Sequence, residues 1–180
     1  QMQEHDWMNP LTPGAPEGTS NFAEANRGAT VEVSSIIWRE SNHAEITKTN
    51  LIRSCEQSGR MNTEGDVSFI FADADEHPTI TVELASPEEL CCLGLTYSPW
   101  DRCVSLCQFE TSLDGGEWNA WGTELGFQNS TPNVMRAMSI NAQEPQLAKF
   151  VRFSVKYGGT RVFAVFAYGS PLLVKAAAHT

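Results

Sequence analysis

No run of apolar residues in this sequence approaches the ~20 that a membrane-crossing helix needs, so a membrane-spanning protein is not expected. Basic residues are also few. Lys and Arg number 12 against 22 Asp and Glu in 180 residues, a formal net charge of −10. A phosphate-binding surface needs the opposite sign, so nucleic acid is not an expected partner. Catalytic signatures are missing as well: there is no G-x-S-x-G, no H-E-x-x-H, no P-loop and no G-x-G-x-x-G. Of the four histidines, His5 and His179 lie near the ends, leaving His43 and His77 in the body. A hydrolase needs a nucleophile with a base, or a placed carboxylate pair. No residue is assigned a catalytic role, and the expected class is a non-enzyme.

Cysteine is sparse and odd in number: Cys55, Cys91, Cys92, Cys103 and Cys107. Cys103 and Cys107 on one strand would sit about 13 Å apart, against the ~5.5 Å that a disulfide spans. A cross-strand bridge from Cys91 or Cys92 stays open. The spacing of the last four matches no zinc knuckle, so they read as small buried hydrophobes. The sequence opens on Gln1, and a leader peptide is not assessable from it.

What is present is a β texture. Residues 1–21 carry Pro10, Pro13, Pro16, Gly14 and Gly18 with no usable period, and read as an extended N-terminal arm. From Ala29 onward, short period-two runs appear. Ile80, Val82 and Leu84 alternate with Thr79, Thr81 and Glu83; Leu93, Leu95 and Tyr97 repeat the pattern, with Cys91 on the same parity. Cys107, Phe109 and Thr111 oppose Gln108 and Glu110, and Val151, Phe153 and Val155 alternate with Arg152, Ser154 and Lys156. Val162–Tyr168 is apolar on both faces, as a central strand would be. Pro87–Leu90 supports at most one helical turn. In Phe109–Trp118, FETSLDGGEW, Asp114-Gly115-Gly116 supplies residues suited to a tight turn. Trp118 then restarts a strand, its ring expected to cap one end of the core. The sum predicts an all-β protein: an antiparallel, jelly-roll-like β-sandwich over 22–171, with a short C-terminal tail at 172–180.

The order of these pieces resembles the discoidin, or coagulation-factor C-type, domain of the galactose-binding-like sandwiches. The matching stretches are Asn26–Ser35, Asn50-Leu-Ile52, Pro78–Leu84, Leu93–Tyr97, SLDGGEW, Lys149–Phe153 and Phe163–Gly169. The resemblance implies about eight main strands, ligands held by loops at one end, and binding without chemistry. It also implies a structural calcium held by an acidic loop after the Asn-Leu-Ile segment. Here that loop reads Arg53-Ser-Cys-Glu-Gln-Ser-Gly59, and the closing strand lacks the family's Glu. Calcium wants six to eight oxygens, carboxylates among them, so no metal and no cofactor is expected.

Two loops carry the candidate ligand chemistry: Trp38, Arg39 and His43 after the entry strand, and Trp100, Asp101 and Arg102 after Tyr97. A flat indole stacks on the apolar face of a sugar ring while Arg and Asp hold its hydroxyls. The competing reading makes Trp38 a plug for the sandwich end and Asp101–Arg102 a surface turn. Asp73-Ala-Asp-Glu-His77 is a small-cation site or, more simply, a solvated loop before the strand at Thr79. Trp118, Trp121, Phe150 and Phe153 read as core. The expected function is a binding module for a glycan or protein partner. It would be either a subunit of an extracellular or virion-type assembly tied to neighbours through the arm, or a stand-alone lectin-like domain. An extracellular or particle-surface location follows from both.

Overall fold

In a computed structural model of the protein, residues 2–6, 16–35, 48–52, 75–99, 104–122, 125–128, 136–156 and 160–170 are described. The described residues form nine strands: β1 (Met2–Asp6), β2 (Ser20–Asn21), β3 (Thr30–Val33), β4 (Thr79–Pro99), β5 (Val104–Ser112), β6 (Asn119–Ala120), β7 (Leu125–Gln128), β8 (Arg136–Lys156) and β9 (Thr160–Gly169). All pairings between them are antiparallel. A 3₁₀ turn at Ala25–Arg27 and a helical turn at 48–50 complete the described elements.

β4 and β8 are 21 residues each. A straight strand of that length would run about 70 Å, well beyond the ~40 Å breadth of a 180-residue globule. The pair must therefore bend, and the register shows where. Thr79–Glu83 pairs with Ser154–Phe150 and Cys92–Tyr97 pairs with Asn141–Arg136, with register shifts between Glu83 and Glu88 and between Leu90 and Cys92. One layer holds β3, the first half of β4, the second half of β8, and β5 with β6 and β7. The other holds β1, the first half of β8, the second half of β4, β9 and β2. The expected sandwich is thus made from a folded-over ribbon.

Both layers feed one core. Ile80, Val82, Phe109, Val151 and Phe153 from the first layer and Leu93, Leu95, Ile140, Val165 and Ala167 from the second belong to a single buried cluster. Phe109 and Phe153 meet edge-to-face at 5.2 Å, a favoured aromatic geometry. Trp121 spans the layers: its backbone N–H donates to Phe109 O at 2.7 Å and its indole N–H to Ile140 O at 3.0 Å. β9 is buried on both faces, as its unbroken apolar run predicts. Val165 and Ala167 enter the main core, whereas Ala164, Phe166 and Tyr168 form a second cluster with Cys92.

Several local expectations are corrected. The shift at Cys91 removes it from the inward parity of Leu93 and places it against the second cluster. Pro87–Leu90 is strand, not a helical turn. Two stretches of the N-terminal segment are ordered pairs: β1 lies on β8, and Asn21 secures β2 by accepting from the N–H groups of Ala23 and Ala167. The hairpin after β5 is wider than a tight turn, because Thr111 pairs with Asn119. Ser112 and Asp114 organise it by accepting from the N–H groups of Gly115, Gly116 and Glu117. Trp118 does not cap the core; its ring lies outside the first layer with the Arg152 guanidinium 4.1 Å from its centroid. Phe150 is likewise only partly buried. Cys91, Cys92 and Cys107 are thiols, not disulfides, and burial pushes Cys92 up to about 12. The C-terminal tail and the 53–59 loop lie outside the described residues.

Candidate functional site

The folded-over ribbon gives the sandwich two ends. Chain length identifies what gathers at one of them. Only residues 100–103 separate β4 from β5, and only 157–159 separate β8 from β9. Each connection passes from one layer to the other, and a few residues reach at most about 14–18 Å. The last residue of β4 and the first residues of β5 and β9 must therefore share an end. Val33 pairs with Ile80 and Thr79 with Ser154, so β3 finishes and β4 begins at this same end. Arg136, paired with Tyr97 and Asp6, begins β8 there too.

Trp38, Arg39, His43, Trp100, Asp101 and Arg102 lie outside the described residues. Their flanks are described: the first group follows Ser35 and the second occupies the step from Pro99 to Val104. Both departures are from the end just defined.

A polar clamp holds the base of the first loop. Ser34 and Ser35 donate their hydroxyls to Asp75 Oδ2 at 2.5 and 2.6 Å, and the His77 N–H donates to Oδ1 at 3.1 Å. Ser34 Oγ also accepts from the Thr79 N–H at 2.9 Å, beside the Ser34 N–H to Thr79 O bond. The carboxylate thus joins the strand leading into the loop to the strand leading out of 75–78. Burial pushes the Asp75 acid upward. The Ser34 and Ser35 hydroxyls, the His77 N–H and the nearby imidazole outweigh it and hold the acid below the usual carboxylate value. Residues 75–77 form an exposed to half-buried loop before β4, in keeping with the solvated loop expected there, and within it Asp75 is a structural acceptor. Its two serine partners are 40 and 41 residues away, a distance no local motif signals.

At the opposite end, where β4 folds over, a cavity of about 290 Å³ is lined by Phe22, Arg27, Leu84, Ala85, Ser86 and Glu88. The 3₁₀ turn forms one wall. Gly28 closes that turn at φ 87°, and a Cβ there would stand 3.0 Å from Ala85 Cβ. Only glycine allows both the left-handed backbone and the close approach. No sequence motif marked this cavity.

Among solved structures, the family 32 carbohydrate-binding module of C. perfringens NanJ in complex with galactose superposes with a TM-score of 0.56 at 10% identity, over 83% of this chain and 98% of that one. This is a discoidin-like fold. Discoidin II from Dictyostelium discoideum matches with a TM-score of 0.57 at 15% identity, over 88% of this chain and 60% of that one. A Streptococcus pneumoniae fucose-binding module matches at 0.55 and 15%, over 84% of this chain and 99% of that one. No protein-family model matches the sequence, and no curated protein matches it. The discoidin-like sandwich is therefore retained at identities where only architecture is comparable. No group of three metal-ligating side chains occurs among the described residues, and no helix among them is long and apolar enough to cross a membrane.

Proposed function

We propose that this chain is a non-catalytic carbohydrate-binding module that takes a sugar at the end where β3, β4, β5, β8 and β9 meet. The observation that carries the reading is the departure of two aromatic- and Arg-bearing loops from one end of a discoidin-like sandwich. Structural neighbours of that fold include modules solved with galactose and with GalNAc-β-1,3-galactose, and a fucose-binding module. In this reading Trp38 and Trp100 offer stacking surfaces. Arg39, His43, Asp101 and Arg102 offer hydrogen bonds to hydroxyls. No calcium is needed, because Arg53 stands where the resemblance expects a carboxylate.

Membership of an extracellular or virion-type assembly is the weaker reading. That reading rests on the Pro-rich N-terminal segment, the C-terminal tail and the altered calcium loop, and within the first of these Met2–Asp6 pairs with β8 of the same chain. A glycan array probed with the whole chain, with calcium and with chelator, tests the proposal. Binding to a defined sugar is expected to be unchanged by chelator and to fall about tenfold or more in Trp100→Ala, the loss of one stacking contact. A folded sample that binds no glycan would sink it.

A further inference from the structure

The cavity at the fold-over end has a largely buried carboxylate in its lining. Glu88 is 8% exposed. Among the described residues the side-chain hydrogen bond to it comes from Ser86 Oγ, at 3.3 Å to Oε1. No ion pair to it occurs among the described residues. Arg27, on the same cavity, is already engaged: it pairs with Glu24 at 3.5 Å and lies over the Phe22 ring at 5.9 Å. A carboxylate withdrawn from water is costly unless a cation or several donors meet it. Glu88 lines a space of about 290 Å³, near the lower bound of ligand pockets. Leu84 and Glu88 are buried and form the floor, while Ala85, Ser86 and Arg27 are exposed and form the rim. The charged residues lining the cavity are Glu88 and Arg27, and Arg27 is already paired with Glu24.

We infer that this cavity is a second binding site, separate from the sugar-binding end, for a primary ammonium group carried on a compact body. The ammonium would donate to Glu88 and Ser86 Oγ, and its carbon skeleton would lie against Leu84, Ala85 and Phe22. A guanidinium-directed anion is disfavoured, since Arg27 is neutralised by Glu24. A neutral sugar would leave Glu88 without a counter-charge.

The test is a heteronuclear NMR titration of the whole chain with galactosamine, with Nα-acetyl-lysine amide, and with N-acetylgalactosamine as the uncharged control. Saturable shifts of the Gly28, Ala85, Ser86 and Glu88 amides are expected with at least one cationic probe. The tighter of the two tells an amino sugar from a lysine side chain as the source. Glu88→Gln, of nearly equal shape, is expected to weaken that binding about tenfold or more, the size of one lost charge-assisted hydrogen bond. Arg27→Ala is expected to tighten it severalfold, because a cation is then removed from the cavity lining. Trp100→Ala, which weakens sugar binding at the other end, should leave it unchanged. The inference is overturned if neither cationic probe gives saturable shifts there, if Glu88→Gln binds as well as the parent, or if Arg27→Ala weakens binding.

Discussion

Asp75 shows what a single side chain does for the candidate sugar-binding end. It accepts two hydroxyls and a backbone N–H, and its acid is held below the ordinary value of about 3.9. A depressed carboxylate contributes stability that is present above its unfolded value and is lost as pH falls through its folded value. Asp75→Asn is therefore expected to cost about 0.5–1 kcal/mol at neutral pH, a small figure because solvent screens the site. The cost should begin to shrink as pH falls below about 4 and vanish only below the folded value, where the parent's carboxyl is protonated. Urea midpoints of both proteins across acid pH read this directly, and a difference that stays constant with pH would refute it. Gly169 makes a second residue-scale case. A Cβ there would lie 2.1 Å from Glu89 O and 3.2 Å from the Phe22 ring, so Gly169→Ala is expected to cost about 1–3 kcal/mol through overpacking, measured by thermal unfolding. Neither role was legible in the sequence. Asp75 looked like one acid among several in a loop, and Gly169 like the end of an apolar run, because both depend on partners far away in the chain. Trp118 misled for a related reason: an indole after a turn suits a core cap, and only the pairing of β5 with β8 puts Arg152 where it covers the ring from outside.

Among the elements, the folded β4–β8 ribbon decides the architecture, and the sequence shows only its straight parts. Ile80–Val82–Leu84 and Leu93–Leu95 were each readable as period-two strands with the correct inward face. That they belong to one strand was not readable, because the register slips twice, with residues 84–87 of β4 opposite 149 of β8 and residues 142–145 of β8 opposite 91 of β4, and the period breaks there. Cys91 takes the wrong parity at that break. β1 was hidden for a different reason: MQEHD has no apolar alternation, and its pairing with Arg136–Ile140 is a property of backbone hydrogen bonds. Removing residues 1–6 is expected to leave the rest of the sandwich folded while exposing β8 as an open edge. Hydrogen exchange should then accelerate within 136–140 and leave 150–154, paired on both sides, as slow as before. Equal acceleration in both stretches would show that β1 supports the whole fold instead of one edge.

For the whole molecule, sharing β4 and β8 between layers has a thermodynamic consequence. A sandwich of two separable sheets could lose one layer and keep the other. Here each layer contains half of the same two strands, and one apolar cluster runs from Ile80 and Phe153 through Trp121 to Ile140 and Val165. Melting either layer would strip cover from this cluster and leave the Trp121 indole and the Ile140 carbonyl without each other. The costs of partial unfolding, exposed apolar surface and broken ladders, thus fall on both layers at once. Unfolding is expected to be a single cooperative transition. Far-UV circular dichroism, reporting the strands, and the fluorescence of a protein whose other four tryptophans are replaced by Phe, leaving Trp121, should give coincident urea curves. Trp121→Phe should move the midpoint of both probes together, by about 1–3 kcal/mol for the unpaired Ile140 carbonyl and the lost ring volume. Curves that separate, with Trp121 exposed before the strands are lost, would mean that the layers part along the core and that the shared ribbon does not bind them into one unit.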